Sequence, residues 1–231
     1  MKYIITGSVV PAVKCHLKKG EQMYTQSGGM VCMGEHMTYH SKIQGGIANG
    51  IGRKFRGESL FLTTYESQRD DAMVVFGSTL PGSVKEIFIR PGQDFICQKT
   101  AFLCAQSSVR SKVCFMKRLS TGFLSGTGFI LQHLYGTGVV FLEVSGDILS
   151  FYLQERESLY VNSGCLVGFD SSVDFAIERV KGIKNMVFGG EGLFFTKLTG
   201  PGNVYLQTQN IKEFANRLRG NMSLTHLNGG E

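Results

Sequence analysis

KKGEQMYTQSGGMV at residues 18–31 aligns without a gap on QERESLYVNSGCLV at residues 154–167. Glu21, Tyr24, Ser27, Gly28 and Val31 meet Glu157, Tyr160, Ser163, Gly164 and Val167. A looser copy lies between them, where Pro91-Gly92-Gln93-Asp94-Phe95-Ile96 takes the same place and Gly92 matches Gly20. A second anchor follows in each segment: Gly57-Glu58-Ser59-Leu60-Phe61, Gly126-Thr127-Gly128-Phe129-Ile130 and Gly190-Glu191-Gly192-Leu193-Phe194. Val74-Val75-Phe76, Val139-Val140-Phe141 and Asn203-Val204-Tyr205 close the three. Three anchors in one order, three times over, define a repeat of about 65–70 residues, and self-similarity at such a period outranks any local signal in setting the fold.

The anchors are strand-like. Val84–Ile89, Ser158–Val161 and Leu193–Leu198 are short and rich in β-branched and aromatic residues. They end at Pro81-Gly82, Pro91-Gly92, Gly136-Thr137-Gly138 and Gly200-Pro201-Gly202, which are turn signals. One segment alone buries too little apolar surface, so the three are expected to share a core. The expected fold is all-β: three tandem β-sandwich-like repeats (about 10–80, 81–145 and 146–209) in one compact domain spanning 1–219. A short C-terminal helix is expected where Asn210 precedes Glu213 by three residues and Ile211, Phe214, Ala215 and Leu218 share a face. Residues 220–231 read as a polar tail.

Thirty glycines against four prolines, with 42% hydrophobic and 18% charged residues, suit a folded β protein and not a disordered one. No apolar run is long enough for a transmembrane helix, and MKYIITGSVVPAVKC has neither the apolar core nor the cleavage site of a signal peptide. This composition reads as cytoplasmic. The six cysteines at 15, 32, 97, 104, 114 and 165 are irregularly spaced, form no CxxC pair, and mostly neighbour apolar residues, so they read as small buried hydrophobes. Residues 1–56 carry the whole net charge of +6. Residues 95–142 contain basic groups and no acid. Such asymmetry fits either an anionic partner or a solvated face.

Chemical motifs fail on inspection. His36 and His40 lack a third ligand beyond Glu35 and His16, so no metal site is expected. Gly45 and Gly50 have phosphate-loop spacing, but Ile51 stands where the lysine belongs. Gly50-Ile51-Gly52 and Gly126-Thr127-Gly128 lack the third glycine of a dinucleotide loop, and no nucleophile elbow surrounds Ser125. Glu58 and Glu191 repeat at one position where Thr127 breaks the set, which fits a structural role. No catalytic residue, metal or cofactor is expected, and the chain reads as a non-enzyme.

GGEGLFFTKLTGPGNVYLQTQN at 189–210 resembles the closing signature of the family named for altered inheritance of mitochondria, a mitochondrial-biogenesis family with many bacterial homologues. KKGEQMYTQSGGMVCM at 18–33, GESLFLTTY at 57–65 and STLPGSV at 78–84 fit the same family. The resemblance covers roughly residues 1–215. It implies a fold similar to the trp RNA-binding attenuation protein, three units fused, and a trimer. It carries over neither RNA nor tryptophan binding, because fold alone does not fix function. The chain departs from the pattern in the middle repeat, where Lys99-Thr100 replaces the Ser-Gly pair. For a eukaryotic source the resemblance implies the mitochondrial interior or its inner membrane.

The function expected from these readings is an interaction or scaffold protein of unassigned biochemical role, associated with a membrane or a larger assembly. The alternative is a binding module for a small ligand or nucleic acid, by analogy with the attenuation protein. Nucleic acid ranks behind, since base stacking needs exposed aromatics among basic groups. A homo-oligomer is expected because sheets with open edges associate unless those edges are covered. Arg53, Lys54 and Arg56 follow the apolar run Gly45–Gly52 and are the candidate contact with an anionic membrane, although Gly-rich loops packed on one another or on a neighbouring subunit are the favoured explanation of the run. Sedimentation with anionic vesicles should fall when the three become Gln and fall again with salt. Equal recovery of both proteins at low and high salt removes this contact.

Overall fold

Each repeat launches its second strand from the same four-residue turn. In the computed structural model, which describes residues 1–26, 28–44, 60–117, 129–179, 194–211 and 213–218, the turn is closed by Glu21 N donating to Lys18 O at 2.9 Å. Gln93 N to Arg90 O at 2.9 Å and Glu157 N to Gln154 O at 3.1 Å repeat it. Its third residue has a left-handed backbone each time: Gly20 at φ +79°, Gly92 at +76° and Arg156 at +65°. Glu21 and Glu157 then cap the turn, their carboxylates accepting from Lys18 N at 2.8 Å and Gln154 N at 2.7 Å. This explains why the two glutamates match in sequence. Burial pushes the Glu21 carboxyl up, but the N-terminal ammonium at 2.8 Å and the Lys18 amide outweigh it and hold it below its usual value.

After an initial strand β1 (Lys2–Thr6), six strands recur three times among the described residues. The first repeat has β2 (Ala12–Leu17), β3 (Gln22–Gln26), β4 (Met30–Met33), β5 (Met37–Gln44), β6 (Leu60–Ser67) and β7 (Ala72–Gly77). The second has β8 (Gly82–Ile89), β9 (Phe95–Gln98), β10 (Phe102–Gln106), β11 (Val109–Lys117), β12 (Phe129–Gly136) and β13 (Gly138–Ser145). The third has β14 (Ile148–Leu153), β15 (Ser158–Asn162), β16 (Leu166–Asp170), β17 (Asp174–Arg179), β18 (Phe194–Thr199) and β19 (Gly202–Gln207). A short 3-10 turn precedes β10 at Lys99–Ala101 and β16 at Ser163–Cys165, so the departure at Lys99-Thr100 leaves this local conformation unchanged.

In every repeat the sixth strand runs between the first and third, and the fifth between the second and fourth. Two sheets join neighbouring repeats, ordered β5-β6-β3-β10-β13-β8 and β11-β12-β9-β16-β19-β14. The joints are β3 with β10 and β9 with β16: the second strand of one repeat pairs antiparallel with the third strand of the next. The third strand carries a bulge at one place in all three repeats, between Met30 and Cys32, Phe102 and Cys104, and Leu166 and Gly168. An extra residue there turns one more side chain out of the simple alternation.

The described strands form two compact units, and the middle repeat contributes strands to both. One holds the four-stranded sheet β1-β2-β7-β4 and the β5-to-β8 sheet. Its core gathers Val13, Cys15, Leu17, Met23, Val74, Phe76 and Phe141, all at most 1% exposed, with Tyr3 packed edge-on to Phe141 at 4.8 Å. The other holds the β11-to-β14 sheet and the three-stranded sheet β15-β18-β17 around Leu131, Leu166, Phe169, Leu198 and Val204. Alternation fixes these cores: β7 reads buried at Ala72, Val74 and Phe76, as a strand with one covered face must.

Residues 211 and 213–218 are helical, and Asn210 begins the helix by accepting from Glu213 N at 3.4 Å through Oδ1 and from Phe214 N at 3.0 Å through its carbonyl. Phe214 and Leu218 remain 40% and 50% exposed.

Two stability predictions follow from local chemistry. A side chain in the left-handed region costs roughly 1–2 kcal/mol, offset in part by the backbone entropy of glycine. Arg156→Gly should therefore raise unfolding free energy by about 0.5–1 kcal/mol in urea melts, since the Arg156–Glu155 pair at 3.9 Å is solvent-exposed and contributes little. Gly92→Ala should lower it by about 1 kcal/mol, because an added Cβ there meets nothing and only the backbone is strained. The second prediction concerns half-buried Glu143, whose Oε2 accepts from Thr79 N at 2.8 Å and Thr79 Oγ1 at 3.0 Å. Burial raises its carboxyl above the usual value despite both bonds. The folded state then holds its proton to higher pH than the unfolded state, so stability is lost as pH rises above the ordinary carboxylate range. Glu143→Gln should be the more stable protein at pH 7, and the advantage should vanish below about pH 4. An advantage that grows toward acid reverses this assignment.

Candidate functional site

Among the described residues, three cysteines are sealed in the cores and two histidines sit beside carboxylates. Cys15, Cys97 and Cys104 are fully buried. Burial pushes the Cys15 thiol up to about 12 and raises Cys97 and Cys104 well above their ordinary value. A thiol there stays protonated at neutral pH and is a poor nucleophile. Burial also raises Cys114 and Cys165. The reading of small buried hydrophobes fits Cys15, Cys97 and Cys104, whereas Cys32 and Cys114 are exposed. Tyr3 Oη donates to Glu86 Oε2 at 2.6 Å, and burial with that bond pushes the phenol up to about 12.

His16 Nδ1 lies 2.9 Å from Asp71 Oδ1. His36 Nε2 lies 3.0 Å from Glu35 Oε1 and 2.9 Å from Arg69 Nη1. His40 stands on β5 opposite Thr64. Among the described residues no three His, Cys, Asp or Glu converge as a metal would need. No described helix is long and apolar enough to cross a membrane. Arg53, Lys54 and Arg56 lie outside the described residues, as do Glu58, Glu191 and the Gly-rich stretches 45–59, 118–128 and 180–193.

What the described residues present instead is apolar surface on sheet edges. β14 ends its six-stranded sheet with Leu149 44% and Phe151 39% exposed. Their counterparts on β2, set by the register against β19 and β7, are Val13 and Cys15, both 0% exposed. The difference is β1, which pairs with β2 from Lys2↔His16 to Thr6↔Ala12 and brings Met1 and Tyr3 onto that core. β14 ends its sheet, and among the described residues no strand pairs with its outer side. β4 and β15 also end their sheets, with Val31 63% and Tyr160 54% exposed. Lys197 Nζ sits 5.7 Å from the Tyr160 ring centroid and 3.5 Å from Glu178.

Sequence reasoning passed over Leu149 and Phe151 because ILSFYL reads like any other half-buried strand. The signal was the first-strand position shared with AVKCHL at 12–17. A strand without a partner shows only when its repeat-mate has one.

This geometry can be set beside known proteins. An uncharacterised protein of Streptococcus pyogenes serotype M6 is 26% identical over 230 residues, covering 95% of this chain and 90% of that one. The crystal structure of protein SPYM3_0169 from Streptococcus pyogenes is similar with a TM-score of 0.74, covering 94% of this chain and 98% of that one. Its 24% identity speaks to the fold alone. The family model described as Mitochondrial biogenesis AIM24 matches residues 3–209, from β1 through the last strand of the third repeat. The four motifs at 18–33, 57–65, 78–84 and 189–210 fall almost wholly inside that span, and the chain belongs to the mitochondrial-biogenesis family AIM24.

Proposed function

We propose that this chain is a non-enzymatic interaction protein, a scaffold that takes an extended segment of a partner protein along β14. The observation that carries the reading is the contrast between the first strands of the first and third repeats. β2 is completed by β1, and β14, with its apolar side chains in the same register, has no further described strand on its outer side. Strand addition supplies affinity through main-chain hydrogen bonds and specificity through alternate side-chain pockets. The partner segment suited to β14 resembles β1 itself: extended, with an aromatic side chain placed as Tyr3 is to rest on the core edge. Leu149 and Phe151 are 44% and 39% exposed, so covering what remains of each would contribute about 0.6–1.3 kcal/mol.

A place in a larger assembly suits such a protein, and the family's description as mitochondrial biogenesis is what supports a mitochondrial setting. The chain would act in the cytoplasm, or inside mitochondria for a eukaryotic source, with the basic sequence cluster Arg53, Lys54 and Arg56 as its proposed contact with an anionic membrane. The second reading, a ligand or nucleic-acid module, rests on the Lys197–Tyr160 pair and the basic balance of +6.

Native purification from source cells, with mass spectrometry of proteins and small molecules, separates the two. Wild type should retain a protein whose cross-links fall on residues 148–153, and the double variant Leu149→Lys/Phe151→Lys should lose it at least tenfold. Equal recovery with both proteins rejects β14 as the contact. A stoichiometric small ligand or RNA held by both supports the second reading.

A further inference from the structure

One end of the first unit is apolar beyond what its packing uses. The connection from β1 to β2, residues 7–11, lies beside the connection from β7 to β8, residues 78–81. Gly82 N donates to Val9 O at 2.8 Å, and Ser78 N donates to Pro11 O at 2.9 Å. Neither connection holds a charge: the chain is uncharged over residues 3–13 and again over residues 72–84. Val9 and Val10 are 68% and 50% exposed, and Ile4 beside them on β1 is 62% exposed. Side chains that open to solvent add little to the core of Val13, Cys15 and Phe76. The repeat does not ask for them either. Where the third repeat enters its first strand the connection is Gly146-Asp147, a polar turn in which Asp147 N donates to Thr208 Oγ1 at 2.9 Å.

The backbone of the tip suits an apolar medium. Gly7 makes the turn at φ +90°. The carbonyls of Val9 and Pro11 are already bonded, and Pro11 has no amide hydrogen. Backbone groups paired within the protein are what lipid demands of any segment that enters it.

Behind the tip the charge has one sign. Residues 1–20 hold four lysines and no acid. On the outer face of the hairpin Lys14 stands opposite Ile4, and Lys2 stands opposite His16. At about 3.3 Å per residue, Lys14 lies roughly 10 Å behind Pro11 and Lys2 roughly 16 Å behind Gly7. Acids collect at the far end of β2, where Asp71 Oδ1 lies 2.9 Å from His16 Nδ1 and Asp70 Oδ1 accepts from Lys19 N at 2.9 Å. Glu143 reaches the tip's neighbour, but its Oε2 is taken up by Thr79 N and Thr79 Oγ1.

We propose that the β1–β2 hairpin inserts its tip into an anionic lipid surface, with Val9 and Val10 in the acyl boundary, Ile4 at its edge, and Lys14 and then Lys2 toward the headgroups. Interfacial elements bury their apolar side about 5–10 Å into that boundary, a depth that leaves Lys14 level with the phosphates. Lys2 stands further out, within about a Debye length of 8–10 Å from the charged surface. The collar of lysines selects anionic lipid over an apolar protein groove, which has no use for it. The surface shares no residue with β14 or with Arg53, Lys54 and Arg56, so it stands or falls apart from the scaffold reading.

The chain contains no tryptophan, so one placed at the tip reports on the tip alone. With vesicles of equal parts phosphatidylcholine and phosphatidylserine, Val10→Trp emission should shift to the blue and be quenched by lipids brominated on the acyl chain. Tyr152→Trp, at a site 58% exposed on the other unit, should do neither. Sedimentation of the full chain with these vesicles should fall at least tenfold for Val9→Asp/Val10→Asp. Both valines are exposed, so the aspartates leave the fold intact, as circular dichroism checks. Lys2→Gln/Lys14→Gln should weaken recovery on the mixed vesicles and not on phosphatidylcholine alone. Recovery of Val9→Asp/Val10→Asp equal to wild type overturns the proposal, and so does a wild-type protein that sediments with neither vesicle. Val10→Trp protein that sediments with its emission unchanged binds through another surface and overturns it too. A protein cross-linked to Val9 or Val10 after native purification, with no blue shift on vesicles, assigns the tip to a protein partner instead and rejects the lipid.

Discussion

Pairing between the second strand of one repeat and the third strand of the next is the interaction on which the rest of this structure depends. Within a repeat the strands fall into two groups of three, first-sixth-third and fourth-fifth-second. Each such three-stranded group leaves an edge of unpaired amides and carbonyls on each side. The joints of β3 with β10 and β9 with β16 turn two such groups into one six-stranded sheet, twice. The middle repeat gives one group to each sheet, which is why a repeat of 65–70 residues by sequence is not a unit of packing. Its core residues follow: Leu103 and Phe141 belong to one hydrophobic cluster, and Leu131 belongs to the other.

The same constraint places the surfaces open to partners. Edges are where β proteins associate, and this chain treats its edges unequally. β2 is closed by β1, whereas β14, β4 and β15 end their sheets with apolar side chains in solvent. The thiols of Cys15 and Cys104 are buried and held protonated, and His16 and His36 lie in short-range pairs with Asp71 and Glu35. Apolar edges, by contrast, need only a second strand to become core.

Much of the architecture was legible because its devices are local. Gly20 and Gly92 mark a left-handed turn, and Glu21 and Glu157 cap it, so each leaves a trace in the residue types required. Asn210 and Glu213 announced the helix for the same reason. Arg156 was opaque, since an arginine at φ +65° writes nothing into the sequence. Partner choice was opaque too. Val31 and Val167 align as the same residue in the same motif, yet one is 63% exposed and the other buried. That difference depends on which strand lies across from them, and no local pattern encodes it. MKYIIT read as a short β-branched run and became the strand that covers β2. The basic cluster Arg53, Lys54 and Arg56, the one site read from charge, lies outside the described residues.

Hydrogen exchange followed by mass spectrometry across a dilution series tests the joint most directly. Amides of β3, β10, β9 and β16 should be the slowest in the protein at every concentration, because their release requires the six-stranded sheets to come apart. Amides between β2 and β7, which pair within one repeat, should exchange faster than those of the joints. Joint amides that exchange faster than those between β2 and β7 would contradict the account.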